Sequence, residues 1–275
     1  MKHKTLGFIG AGNMASSLVG GLVADGYPAR DIWVSDVDEA KLDALSLKFG
    51  VNVSGDNRRV AGLAEILVLA VKPQILRGVA EGVADLVAET RPLVLSVVAG
   101  VGESAIDRWL GGGQAIVRCM PNTPALVKSS ATALHANGKT TSAERSEAES
   151  ILRAVGVTVW VEREEALDAV TAISGSGPAY FFLLMEAMEN AAADLGLDPA
   201  IARLLVQQTA LGAARIAIES EEGPSQLRQR VTSPKGTTEQ AIGVFEERGL
   251  REIVKEAVSA AHARAIELAR DLGEE

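Results

Sequence analysis

Between residues 5 and 161, short apolar runs alternate with stretches of helical periodicity; after about residue 164 the alternation stops. The runs are "TLGFIG" (5–10), "DIWVSD" (31–36), "EILVLAV" (65–71), "PLVLSVVAG" (92–100) and "AIVRCM" (115–120). "ATALHA" (131–136) and "GVTVWV" (156–161) are two further strand-like segments. "EILVLAV" is apolar nearly throughout, as suits a strand buried on both faces of a parallel sheet. Helical stretches such as 13–26 and 39–50 stand between the runs and are long enough to serve as crossovers. This order predicts an α/β fold with a doubly wound parallel sheet. Downstream, 178–196, 198–219 and 250–273 read as long helices with no strand candidate among them. The expected division is a sheet domain over 1–164 and an all-helical domain over 165–275.

Composition narrows the classes of partner. A formal net charge of -9, with no run of Lys and Arg, argues against nucleic acid or an anionic membrane surface. No stretch reaches about 18 uninterrupted apolar residues, so no membrane span is expected. The single cysteine, Cys119, rules out an intrachain disulfide and suits a reducing, cytoplasmic setting. With 3 His in the chain, no His-rich metal site is expected. The start "MKHKTLGFIGAG" reads as a first strand rather than a signal peptide.

"GFIGAGNMA" places Gly10-x-Gly12-x-x-Ala15 directly after the first strand and at the start of a helix opened by Asn13 and Met14. Gly10 permits a tight turn, Gly12 lets backbone approach a diphosphate, and Ala15 allows close helix–strand packing. The free N–H groups and dipole at the helix start favour negative charge there. These features predict a dinucleotide site of the Rossmann type. Asp36 ends the second strand, where a carboxylate would grip the ribose 2′-hydroxyl of NAD and repel the 2′-phosphate of NADP. Ser35, Asn57, Arg58 and Arg59 could instead serve a 2′-phosphate, so both NADPH and NADH stay open. Ligands of open α/β sheets bind at the carboxyl ends of strands. Ala70, Val71, Lys72 and Pro73 in "AVKPQ", Val98 and Ala99 at the end of the fourth run, and Asn122 after the fifth are therefore expected cofactor contacts. Pro73 would also start the next helix.

Three further segments complete the pattern: "RCMPNTPALV" (118–127), "AVTAISGSGPAY" (169–180) and "VTSPKGTTEQAI" (231–242). In their order and separation, from Thr5 to about Leu268, these motifs resemble the pyrroline-5-carboxylate reductase family. The resemblance implies a Rossmann-type N-terminal domain followed by a helical dimerisation domain. It also implies hydride transfer from NADPH or NADH to the C=N bond of 1-pyrroline-5-carboxylate, giving L-proline as the last step of proline biosynthesis. The partner it implies is a second copy of the chain, with dimers able to form a ring. In that family the last motif binds the substrate, which assigns Ser233, Gly236, Thr237 and Thr238 to it. The Thr238 hydroxyl would act catalytically on the ring nitrogen, with Ser176 a secondary substrate contact.

Read as a helix start, Ser233 is the expected N-cap and Pro234 the first helical residue. The N–H groups of Lys235, Gly236 and Thr237 would then point outward to a carboxylate. Lys235 departs from the family's commoner "SPGGTT". Two other readings remain on the same fold. A 3-hydroxyacid-type dehydrogenase wants a lysine on the first long helix, and 178–195 contains none. A non-catalytic NAD(P)-sensing protein would not need the hydroxyl-rich "SPKGTT". Glu164 and Glu221 could help shape the substrate pocket or the subunit contact, but among 36 acidic residues each reads more simply as solvated surface; His135 and His262 read as structural, and Cys119 as core.

Overall fold

The structure, a computed structural model, describes residues 3–274. Its first part runs β1 (Leu6–Ile9), α1 (Asn13–Ala24), β2 (Ile32–Ser35), α2 (Glu39–Phe49), β3 (Asn52–Ser54), α3 (Asn57–Leu63) and β4 (Ile66–Leu69). It continues through α4 (Pro73–Thr90), β5 (Leu93–Ser96), α5 (Glu103–Trp109), β6 (Ile116–Met120), β7 (Ser130–Ala136), α6 (Ser142–Arg153) and β8 (Gly156–Trp160). Helices follow: α7 (Ala166–Val170), a π-turn (Thr171–Gly175), α8 (Gly177–Asp194), α9 (Pro199–Glu219), α10 (Pro224–Arg230), α11 (Thr237–Glu247) and α12 (Leu250–Glu274).

The strands form one 8-stranded sheet in the order β3-β2-β1-β4-β5-β6-β7-β8. From β3 to β6 every pair is parallel, which gives the doubly wound half its form. The expectation of a parallel sheet fails at one place, since β7 runs antiparallel to β6. The connection over 121–129 is too short for a crossover, so the chain turns back beside the strand it has just left. From β7 to β8 the chain crosses over through α6, and that pair is parallel again. The short edge strand β3 has no counterpart among the apolar runs, because "NVS" carries one apolar residue in three.

Alternate strand residues face opposite layers. Leu6, Phe8, Ile66 and Val68 share one core with Leu18 and Leu22 of α1. Ile9, Leu67 and Leu69 share the other with Leu76, Ala80 and Val83 of α4. Each fully buried Leu, Ile or Phe contributes about 1.5–3 kcal/mol relative to exposure, so both layers are anchored at the strands that carry the glycine loop.

The described residues group into two compact units, one comprising residues up to Ser176 together with those from Ala261 onward, the other Gly177–Ala260. Glu164, where the domain division was expected, lies within the sheet unit and is tied there by an ion pair to Arg118. The end of α12 belongs to that unit as well, with Leu268 and Leu272 beside Gly100. The helical unit has little core of its own. Ala202 and Val206 are its buried apolar residues, whereas Phe181, Phe182 and Leu183 are 64%, 63% and 66% exposed. Apolar faces of that extent mark an interaction surface.

Candidate cofactor and substrate sites

Strand order reverses between β1 and β4, and the glycine loop sits at that point. Gly10 adopts φ +106. A Cβ there would stand 2.5 Å from the Ala70 carbonyl oxygen, so no side chain fits against the end of β4. Gly12 is the N-cap of α1, and a Cβ on it would meet nothing within 4 Å. No side chain caps this helix. The N–H groups of Asn13, Met14 and Ala15 have no acceptor among the described residues. Open space in front of uncapped N–H groups is what a diphosphate requires.

At the end of β2 the Asp36 carboxylate accepts the Ala11 N–H at 2.7 Å through Oδ2 and the Asp38 N–H at 3.0 Å through Oδ1. Asp36 therefore braces the glycine loop while each oxygen keeps a lone pair for another donor. Ser35 does not match its expected role as a side-chain contact. It is wholly buried, and its hydroxyl donates to the Phe8 carbonyl, because strand alternation turns it into the sheet. Its carbonyl instead accepts the Gly10 N–H at 2.8 Å.

The two arginines considered for a 2′-phosphate are both engaged. Arg58 forms a bidentate pair with Asp85 at 2.7 Å, and Arg59 lies 4.9 Å from the Trp33 ring centre. The Arg58 guanidinium holds the exposed Asp85 carboxyl down at about 2. Asn57 opens α3, and Lys72 is the exposed N-cap of α4 with Pro73 following at the first helical position. Ala70 and Val71 are half-buried beside the Gly10 turn, Val98 is buried and Ala99 half-buried.

Asn122 is not free to face a ligand with its whole amide. Its Oδ1 accepts from the Ser130 hydroxyl and the Ala131 N–H, both at 3.1 Å, and its Nδ2 donates to the Ser174 carbonyl at 3.0 Å. It locks the loop after β6 to β7 and to the π-turn. Ser176 follows that turn, its N–H donating to the Thr171 carbonyl at 2.8 Å.

In the helical unit, "SPKGTT" folds differently from the expectation. Helix α11 begins at Thr237 with Gly236 as N-cap, so Ser233 is not the cap and Pro234 is not the first helical residue. Residues 233–236 form a turn closed by the Gly236 N–H donating to the Ser233 carbonyl at 3.0 Å. Pro234 supplies the fixed φ of its second position, and Lys235 takes φ +61 at the third. The Lys235 N–H donates to Glu239 at 2.7 Å, so two of the three N–H groups expected to face a substrate are used internally. The free ones are those of Thr237, Thr238 and Glu239 in the first turn of α11. Gly236 is required by the turn itself, since a Cβ would come within 2.9 Å of the Ser233 oxygen.

The comparisons with known proteins agree across the chain. The model described as pyrroline-5-carboxylate reductase dimerisation matches residues 164–268, and that described as NADP oxidoreductase coenzyme F420-dependent matches residues 5–100. A pyrroline-5-carboxylate reductase of Pseudomonas aeruginosa is 45% identical over 274 residues, covering 100% of both chains. The chain belongs to the pyrroline-5-carboxylate reductase family. The solved structure of a member from Coxiella burnetii is 48% identical, with a TM-score of 0.93 over 98% of this chain and 99% of that one. A member from Plasmodium falciparum, solved with NADP bound, is 27% identical with a TM-score of 0.87, over 98% and 99% of the two chains.

Glu164 is not the solvated surface residue expected from sequence, because a buried arginine draws it into a cluster. Arg118 is buried in the middle of β6 and pairs with Glu164 at 2.8 Å. The same carboxylate oxygen accepts the Glu103 N–H at 2.6 Å. His135 on β7 meets the Val161 carbonyl at 3.3 Å through Nδ1 and the Glu103 carboxylate at 3.5 Å through Nε2. Burial, with the neighbouring Glu164, pushes the Glu103 carboxyl up. The signal was an arginine in the apolar run "AIVRCM", since a guanidinium inside a central strand needs a carboxylate partner.

Proposed function

We propose that this chain is an NAD(P)H-dependent imine reductase that converts 1-pyrroline-5-carboxylate to L-proline, the closing step of proline biosynthesis. The observation that carries the reading is the uncapped first turn of α11, with Thr237 and Thr238 on it, in a chain matching the Pseudomonas aeruginosa reductase over its full length. The free N–H groups of Thr237 and Thr238 suit the substrate carboxylate, which needs donors and positive potential. Ser233 and Ser176 are the further polar contacts. The Thr238 hydroxyl is the group that hydrogen-bonds the ring nitrogen and, with solvent, carries its proton. The dinucleotide lies over Gly10, Gly12, Asn13 and Met14, with Asp36 at the adenosine ribose and Lys72 and Pro73 beyond. Val98, Ala99 and the loop braced by Asn122 border its nicotinamide. When bound, reduced nicotinamide supplies the hydride that C5 of the imine accepts.

The working unit is a homodimer made through the helical unit, with a ring of dimers as its higher assembly. The run Ala166–Asp194 is apolar and long enough to cross a membrane, yet a π-turn interrupts it and the dimerisation model covers it. We assign its exposed Phe181, Phe182 and Leu183 to the contact with the second copy, in a cytoplasmic enzyme that binds neither nucleic acid nor lipid.

The test is steady-state oxidation of NADPH and of NADH by the purified protein with 1-pyrroline-5-carboxylate. Turnover with either cofactor is the expected outcome. Cofactor binding without turnover of this imine would refute the reading.

A further inference from the structure

Arg118 pairs across the sheet with Ser96 of β5 and His135 of β7, so its charge sits among backbone and buried side chains. Glu164 reaches it from the segment between β8 and α7, and its Oε1 takes a second hydrogen bond from the first N–H of α5. One oxygen thus joins three pieces of chain: the loop over 97–102, the strand β6, and the segment that leads through the π-turn to Ser176. The loop carries Val98 and Ala99. The strand continues into Met120, Pro121 and Asn122, and the π-turn holds Asn122 through the Ser174 carbonyl. On the functional reading above, all three border the nicotinamide end of the site. The diphosphate loop and Asp36 lie on β1 and β2, separated from β6 by β4 and β5.

We propose that Glu164 is a positioning residue for hydride transfer, fixing the loop after β5 against the end of β6 so that the nicotinamide ring is held at its reacting distance. The proposal rests on the reading of the chain as a reductase of this imine. Glu164 touches neither substrate nor cofactor in this role; it acts through the Glu103 N–H and the Arg118 guanidinium. Most contacts that set cofactor affinity lie elsewhere, so its loss should reach turnover first.

Three measurements on the full-length protein test this. Glu164→Ala should lower kcat by about tenfold or more, since small misplacements of reacting groups are costly. Its Kd for NADP⁺ by calorimetry should stay within about threefold of wild type, because the diphosphate contacts are intact. Glu164→Gln keeps an oxygen that can accept both hydrogen bonds, and should recover most of the lost turnover. Hydrogen exchange over residues 97–103 should quicken in Glu164→Ala and stay near wild type in Glu164→Gln. An unchanged kcat in Glu164→Ala would overturn the proposal. So would loss of kcat, cofactor affinity and thermal stability together in both variants, which is what a purely structural ion pair predicts. A wild-type chain that binds NADP⁺ and leaves the imine unreduced refutes the functional reading instead, while exchange over 97–103 still reports whether Glu164 holds the loop.

Discussion

The Lys235 backbone N–H donates to the Glu239 carboxylate at 2.7 Å, reaching from the turn to the third residue of α11. The contact resembles a capping box displaced by one residue, with the glutamate side chain folded back beyond the N-cap. It holds the turn that presents Thr237 and Thr238, and it does so with a lysine in the left-handed region at φ +61.

A non-glycine residue in that region costs roughly 1–2 kcal/mol. Lys235→Gly removes this strain and keeps the N–H that Glu239 accepts, while glycine adds about 0.5–1 kcal/mol of unfolded-state entropy. The variant is expected to gain up to roughly 1 kcal/mol in urea unfolding. A loss of stability would show that the lysine side chain makes a compensating contact.

Thr238→Ala leaves the N–H groups of α11 in place and removes one hydroxyl. Turnover should fall by about 10²–10³-fold, the range for loss of one preorganised hydrogen bond to a centre of changing charge. Cofactor affinity should not change, and Thr238→Ser should retain much of the rate. Wild-type turnover in the alanine variant would remove Thr238 from the chemistry.

Asp36→Ser takes away both the acceptor for the Ala11 N–H and the negative charge that we propose faces the adenosine ribose. The kcat/KM for NADH should drop by about tenfold, the scale of a hydrogen bond to a charged group. The value for NADPH should fall less or rise, as the repulsion of a 2′-phosphate is lifted. Equal losses with both cofactors would mean that bracing the glycine loop is the dominant role of Asp36.

Glu103 is expected to make stability fall as pH rises. Burial comes first, then Glu164, in raising its carboxyl above the ordinary range; His135 and Arg118 oppose them and Asp107 adds to them. The folded state holds this proton more tightly than the unfolded state, so protonation favours folding. The penalty is fully present above the raised folded value and gone below the unfolded one. Glu103→Gln should therefore melt higher than wild type at about pH 8, with the gap closing as pH falls toward about 4.3. A variant less stable at both ends would show that the His135 contact outweighs the burial of charge.

Much of this molecule could be read before any coordinates. Gly10 and Gly12 announced the loop because their spacing matches a geometry that only small residues allow, and the order of apolar runs was enough for the doubly wound half. The antiparallel β7 was hidden, since "ATALHA" carries no sign of direction and the shortness of 121–129 matters only once both strands are paired. Ser35 looked like a ligand because it neighbours Asp36 in the chain, although strand alternation sends the two side chains opposite ways. The turn at 233–236 was mistaken for a helix start because serine followed by proline serves both.

What the sequence determined by itself is local chemistry: which segments are strands or helices, where a loop must be glycine, and which hydroxyls stand at a helix end. These follow from the conformational preferences of residues close together in the chain. Only the tertiary structure decided that Glu164 answers Arg118 across 46 residues, that Asp36 braces Ala11 across 25, and that Asn122 is tied to Ser174 across 52. A buried charge or amide requires a partner, but the requirement does not say which of many carboxylates or carbonyls meets it. That choice is made by the packing that brings distant strands and turns together.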